Sequence, residues 1–158
     1  MSNEITIDEL INLLGRGYWI ETQFEEASQW SAYITSMSDK GREIIFTIIK
    51  DSTRHRILLE ELGKKLGVDL KSMSKSFEKR GFYFGKMKED EIFKVILEHE
   101  IVVKDLYTRL KQHVNPDILK KSNLSTEEFY RAMDLLISDE ERHIRMVEPH
   151  SDKTVRIL

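Results

Sequence analysis

Apolar residues recur at three- and four-residue intervals along most of this chain, and no segment of any length alternates with period two. The pattern predicts four long helices, over about residues 18–37, 42–66, 89–114 and 125–147. A shorter helix is expected over residues 8–14, ended by Gly15 and Gly17. Ser38-Asp39-Lys40-Gly41 supplies a turn and capping residues, so the first two long helices are expected to be antiparallel neighbours. Residues 67–88 carry several lysines and three glycines, and are read as a long crossover with a short helical stretch near residues 70–77. Asn115-Pro116 ends the third long helix, and residues 116–121 are expected to add one turn. Ser125, followed by Glu128 three residues later, marks the start of the fourth. Residues 148–158 are expected to be a poorly ordered tail. The expected fold is all-α: a single domain of residues 1–158, a four-helix bundle of two antiparallel helix pairs joined by the long crossover.

The informative residues are polar ones standing where the helical period calls for apolar ones. The inner stripe of the last helix runs Phe129, Ala132, Met133, Leu136, Glu140, His143 and Val147, so Glu140 and His143 project from one face. The stripe of the second helix runs Ile45, Ile48, Ser52, His55, Leu59 and Leu62, with Asp51 one position off. Asp51-Ser52-Thr53-Arg54-His55 echoes Asp139-Glu140-Glu141-Arg142-His143, sharing the Asp, Arg and His. The other two helices echo each other as well: Glu26 precedes Tyr33 by seven residues, and Glu100 precedes Tyr107 by seven. Glu26 and Glu100 are therefore read as the inward pair, whereas Glu21, Glu25 and Glu98 share more polar faces and are read as solvated. A buried carboxylate alone is costly, but carboxylates and imidazoles grouped in one interior layer are ready-made metal ligands.

Placed on four helices, Glu26, His55, Glu100, Glu140 and His143, with Asp51 or Ser52 as further donors, resemble the ferritin-like superfamily, most closely its small rubrerythrin- and erythrin-type domains. The resemblance covers about residues 18–147. It implies one Glu from each of two helices and a Glu-x-x-His from each of the others, around two irons or manganeses. Two departures stand out. Ser52 occupies the position of the family's second Glu, and Glu26 lies about one helical turn closer to its turn than the family spacing. One complete and one weakened metal position is the expectation. The implied activity is oxidase, peroxidase or ferroxidase chemistry with dioxygen or hydrogen peroxide at iron, with manganese or zinc as alternatives. The resemblance also implies a homodimer, for which Trp19, Phe82 and Tyr83 would suit an interface.

Composition narrows the field. The chain has no cysteine, which removes disulfides, thiolate zinc sites, iron–sulfur ligation and the family's rubredoxin-like electron-transfer module. Electrons would have to come from another protein or from the iron itself. Hydrophobic residues make up 40% and charged residues 34%, the balance of helices with solvated outer faces. The first 13 residues do not read as a signal peptide and no stretch reaches membrane-span length, so a cytoplasmic protein with no membrane partner is expected. Net charge is -3, which argues against a broad nucleic-acid footprint. The competing reading is a helix-turn-helix over residues 58–83, with Lys71, Lys75, Lys79 and Arg80 on the recognition helix, or a scaffold that has lost catalysis.

Overall fold

The computed structural model describes residues 4–26, 37–77 and 87–151. Five α-helices account for most of them: α1 (Ile7–Glu25), α2 (Asp39–Lys65), α3 (Leu70–Ser74), α4 (Glu89–His113) and α5 (Thr126–Val147). Among the described residues there is no strand; a lone parallel bridge joins Ile5 to Val114. The chain is all-α, as the period predicted. Likewise, no described helix is long and apolar enough to cross a membrane.

Local chemistry accounts for the helix ends. Thr6, Ser38 and Ser125 each accept a hydrogen bond from the backbone N–H three residues ahead, satisfying a donor the helix leaves open. Ser38 is itself held by Glu89 from the first turn of α4, which accepts from both its backbone N–H (2.8 Å) and its hydroxyl (2.9 Å). The beginnings of α2 and α4 are thereby tied together. At the far end of α2 the N–H of Gly67 bonds to the carbonyl of Lys64 and that of Val68 to Gly63, a Schellman cap. The cap requires a left-handed residue, and Gly67 has φ +83°. Asn115 caps the 3-10 turn Pro116–Leu119, the extra turn expected there.

Two expectations are corrected. Gly15 and Gly17 do not end a helix; both are buried inside α1, which runs unbroken from Ile7 to Glu25. Residues 27–36, including Trp30 and Tyr33, lie outside the described residues, as do Phe82 and Tyr83; Trp19 is half-buried, with its ring centroid 6.5 Å from that of Phe77. The expected tail also begins later than residue 148. Glu148–His150 forms a 3-10 turn, the His150 ring packs tilted against the core residue Phe93 with centroids 5.9 Å apart, and Ser151 is buried.

Helix α1 packs along α2, and α4 along α5, while α1 also meets α4 and α2 meets α5. Two apolar clusters result. One collects Leu10, Leu14, Tyr18, Leu59, Leu62, Val103, Tyr107, Leu110, Phe129 and Met133; the other collects Phe24, Ile44, Ile48, Ile92, Phe93, Ile96 and Val147. All four long helices contribute to both clusters. α1 and α5 pass from the first to the second, α2 and α4 from the second to the first, so each packed pair is antiparallel. The polar residues of interest fall in the gap between the clusters on every helix.

The Schellman cap gives a test. Gly67→Ala should destabilise the protein by about 1 kcal/mol, because only the left-handed backbone is at issue and nothing lies within 4 Å of the new methyl. Gly67→Asn should lose less, and urea midpoints of the two variants against wild type would measure both. Equal stability of Ala and Gly at this position would refute the assignment.

Candidate metal centre

The gap between the clusters holds a layer of buried charge. Glu21 from α1, Ser52 and His55 from α2, Glu100 from α4, and Glu140 and His143 from α5 are each at most 1% exposed. The sequence-predicted residues His55, Glu100, Glu140 and His143 are all brought together. Glu26 is not: it is the exposed residue that ends α1. Its place is taken by Glu21, which the sequence reading had assigned to a solvated face. The reason is helical phase. Read through its glycines, the inner stripe of α1 is Leu10, Leu14, Gly17, Tyr18, Glu21 and Phe24, and residue 26 falls off it. Treating the glycines as a stop discarded the first three turns that set this phase.

Gly17 has a positive role in the stripe. A Cβ there would stand 3.1 Å from the Tyr107 ring and 3.3 Å from its hydroxyl. One turn further on, that hydroxyl donates to Glu21 Oε1 at 2.9 Å. The missing side chain is therefore the space through which Tyr107 reaches α1.

The donors form two triads that share one member. One ligand atom each from Glu21, His55 and Glu140 lie within 4.8 Å of one another, and so do those of Glu100, Glu140 and His143. His55 Nδ1 is 3.1 Å from both Glu21 Oε1 and Glu140 Oε1. His143 Nδ1 is 3.3 Å from Glu100 Oε2 and 3.5 Å from Glu140 Oε2. The two imidazole centroids are 6.1 Å apart. Glu140 and His143, three residues apart on α5, could chelate an ion from one helix face; on α2 the matching partner of His55 is the hydroxyl of Ser52.

Each imidazole turns its other nitrogen outward to an aspartate from the opposite half of the chain. His55 Nε2 meets Asp139 Oδ2 at 2.8 Å, and His143 Nε2 meets Asp51 Oδ2 at 2.7 Å. Asp51 thus does not join the triads as a stand-in for the missing Glu; it sits behind His143. Arg142 donates to both aspartates, and Arg54 donates to Asp51 and lies 3.6 Å from Asp139. An Nε2–H fixed on a carboxylate leaves Nδ1 as the inward lone pair, the arrangement that orients a histidine ligand. The Asp-x-x-Arg-His echo was visible in the sequence, but nothing in it revealed that each Asp serves the other motif's His.

The electrostatics follow from this packing. Burial disfavours charging His55, yet the charge of Glu21 and the hydrogen bonds with Glu140 and Glu21 push it up to about 11. His143 is likewise pushed up to about 12 against its burial, by hydrogen bonds with Asp51, Glu100 and Glu140. Burial and the charge of Glu140 raise Glu21, and the same two causes raise Glu100 well above its ordinary value. Glu140 goes the other way: its burial is outweighed by hydrogen bonds from Glu100, His143 and His55. Glu140 faces two imidazoles and Glu100 only one, so a proton shared between the carboxyls resides on Glu100. Asp51 is lowered too, its desolvation outweighed by His143 and Arg142. Apart from the proton between the two carboxyls, Glu100 Oε1 and Glu140 Oε2 have no hydrogen-bond partner.

Elsewhere, the described part of the helix-turn-helix segment comprises the end of α2 and α3, which is five residues long, carries Lys71 and has Lys75 at its C-cap. Its Met73 packs against Gly15 of α1, and Lys79 and Arg80 lie outside the described residues. No family model, no curated protein and no solved structure matches this chain.

The proton inventory sets a pH dependence for the metal-free protein. His55 and His143 have folded values above their ordinary 6.5, so their contribution is complete below that pH and is lost as pH rises through about 11 and about 12. The raised Glu21 and Glu100 act in the same direction, starting above their ordinary 4.5. Asp51 and Glu140 are lowered, so their contribution is present above 3.8 and 4.5 and is lost in acid. In chelator, the urea midpoint should therefore fall steadily from about pH 6.5 to about pH 10. A midpoint that stays flat or rises over that range would contradict the protonated imidazoles.

Proposed function

We propose that this layer is a metal centre in a ferritin-like four-helix bundle, with Glu21, His55 and Glu140 holding one divalent ion and Glu100, Glu140 and His143 holding a second. The observation that carries the reading is a pair of fully buried carboxyl oxygens, Glu100 Oε1 and Glu140 Oε2, with no hydrogen-bond partner beyond the proton between them, in a layer of two triads that share Glu140. An unpaired carboxylate oxygen in a dry interior is penalised by a few kcal/mol, and a cation removes that penalty. The helix directions and the place of the layer midway between two apolar clusters support the bundle.

The donor set fits iron or manganese, with zinc as an alternative: oxygen and imidazole ligands, no thiolate. When bound, iron or manganese would supply one-electron chemistry towards dioxygen or hydrogen peroxide, the basis of an oxidase, peroxidase or ferroxidase. The chain's own residues do the rest. Once the inward protons have left, Asp51 and Asp139 would hold the imidazoles in the tautomer with an inward lone pair, and Arg54 and Arg142 balance the aspartates. The apolar clusters on either side keep bulk water from the layer. Protons held by the imidazoles and by Glu100 in the metal-free protein leave as the cation enters, so binding releases protons and strengthens with pH.

Metal analysis of the purified protein followed by anaerobic iron(II) titration tests the reading. Wild type should bind ions stoichiometrically, and His143→Ala should lose the ion its triad holds. Trace metal alone in wild type, with His143→Ala indistinguishable from it, would overturn the proposal in favour of a scaffold. Asp51→Asn removes a charge behind His143 without touching a ligand, and should weaken metal binding about 10- to 100-fold in a competition titration.

A further inference from the structure

The two triads are not equivalent, and their differences all run in one direction. Both oxygens that lack a hydrogen-bond partner beyond the proton between them, Glu100 Oε1 and Glu140 Oε2, belong to the triad of Glu100, Glu140 and His143. In that triad the imidazole contacts are loose, at 3.3 and 3.5 Å. In the other, His55 is drawn in to 3.1 Å from both carboxylates, and Glu21 Oε1 already accepts from Tyr107 at 2.9 Å. A cation entering there must displace short contacts that are made; at the Glu100 triad it displaces only the proton between the carboxyls and a 3.5 Å approach of His143 Nδ1. The chelates differ as well. Glu140-x-x-His143 is intact on α5, while the equivalent position on α2 holds Ser52, buried and neutral.

Building on the metal-centre reading above, we infer that the centre loads in sequence: the Glu100–Glu140–His143 position binds the first divalent ion tightly, and the Glu21–His55–Glu140 position binds a second at least tenfold more weakly. Charge reinforces the order. Glu140 is common to both triads, so the first ion spends its negative charge, and the second ion then faces Glu21 as its one remaining full carboxylate. With a carboxylate at position 52 the second position would have its own chelate and its own charge. Ser52 supplies neither. The protein therefore holds one resident ion and exchanges the other over the range between the two affinities.

Anaerobic titration calorimetry of the metal-free protein with cobalt(II), read in parallel by the visible absorption of the bound ion, separates the possibilities. Two steps are expected in wild type, the second at least tenfold weaker. Glu100→Gln should abolish the tight step, whereas Glu21→Gln should leave it and abolish only the weak one. Ser52→Glu should bring the second affinity to within about threefold of the first. Two equal steps in wild type would overturn the inference while leaving the metal centre standing, and so would loss of the tight step in Glu21→Gln with its retention in Glu100→Gln. Absence of any binding would overturn the metal centre itself. Helical circular dichroism and melting of each variant show that it is folded before its titration is read.

Discussion

A carboxylate carried into an apolar interior must find positive charge or hydrogen-bond donors there, or give up its ionisation. Glu140 is the place where that constraint governs this protein. It is buried on α5, charged, and held between two imidazoles that come from different helices. Those imidazoles are kept in place by aspartates, and the aspartates by arginines at the edge of the layer. Removing either imidazole would leave Glu140 with one cationic partner fewer in a dry interior, whereas the half-exposed arginines share the two aspartates and either one alone contributes less. The layer is thus a closed electrostatic unit, and the four helices must align in register for it to close.

The apolar clusters do the complementary work. By flanking the charged layer on both sides they lower its local dielectric, strengthening every contact within it and deepening the penalty for any group left unpaired. Interior position also explains the glycines of α1. Gly17 admits the Tyr107 ring, and Gly15 admits the end of the Met73 side chain, at points where a Cβ would require the neighbour to shift. A helix former at either place would favour the isolated helix and oppose the packing that gives the helix its purpose.

Much of this was legible in the chain. The three- and four-residue period placed α2, α4 and α5 to within a few residues, and the polar interruptions at His55, Glu100, Glu140 and His143 named four of the clustered residues. On α1 two signals misled: the seven-residue spacing from Glu26 to Tyr33, which matches that from Glu100 to Tyr107, and glycine, which is both a helix terminator and a close-packing residue with the same local signal in either role. The choice between Glu21 and Glu26 depended on both. The crossed aspartates were illegible for a different reason. A repeated motif shows that two segments are alike, whereas the partner of Asp51 is set by how the two helices face each other, and only tertiary contact decides that.

Those crossed contacts bear on how the protein comes together. The ring of His55, from the first half of the chain, is oriented by Asp139 from the second, and His143 by Asp51 from the first. Each helix pair on its own would hold its histidine through Nδ1 and its aspartate through the neighbouring arginine, but would leave Nε2 without its carboxylate. The outward contact of each imidazole is therefore a property of the docked halves and of neither alone.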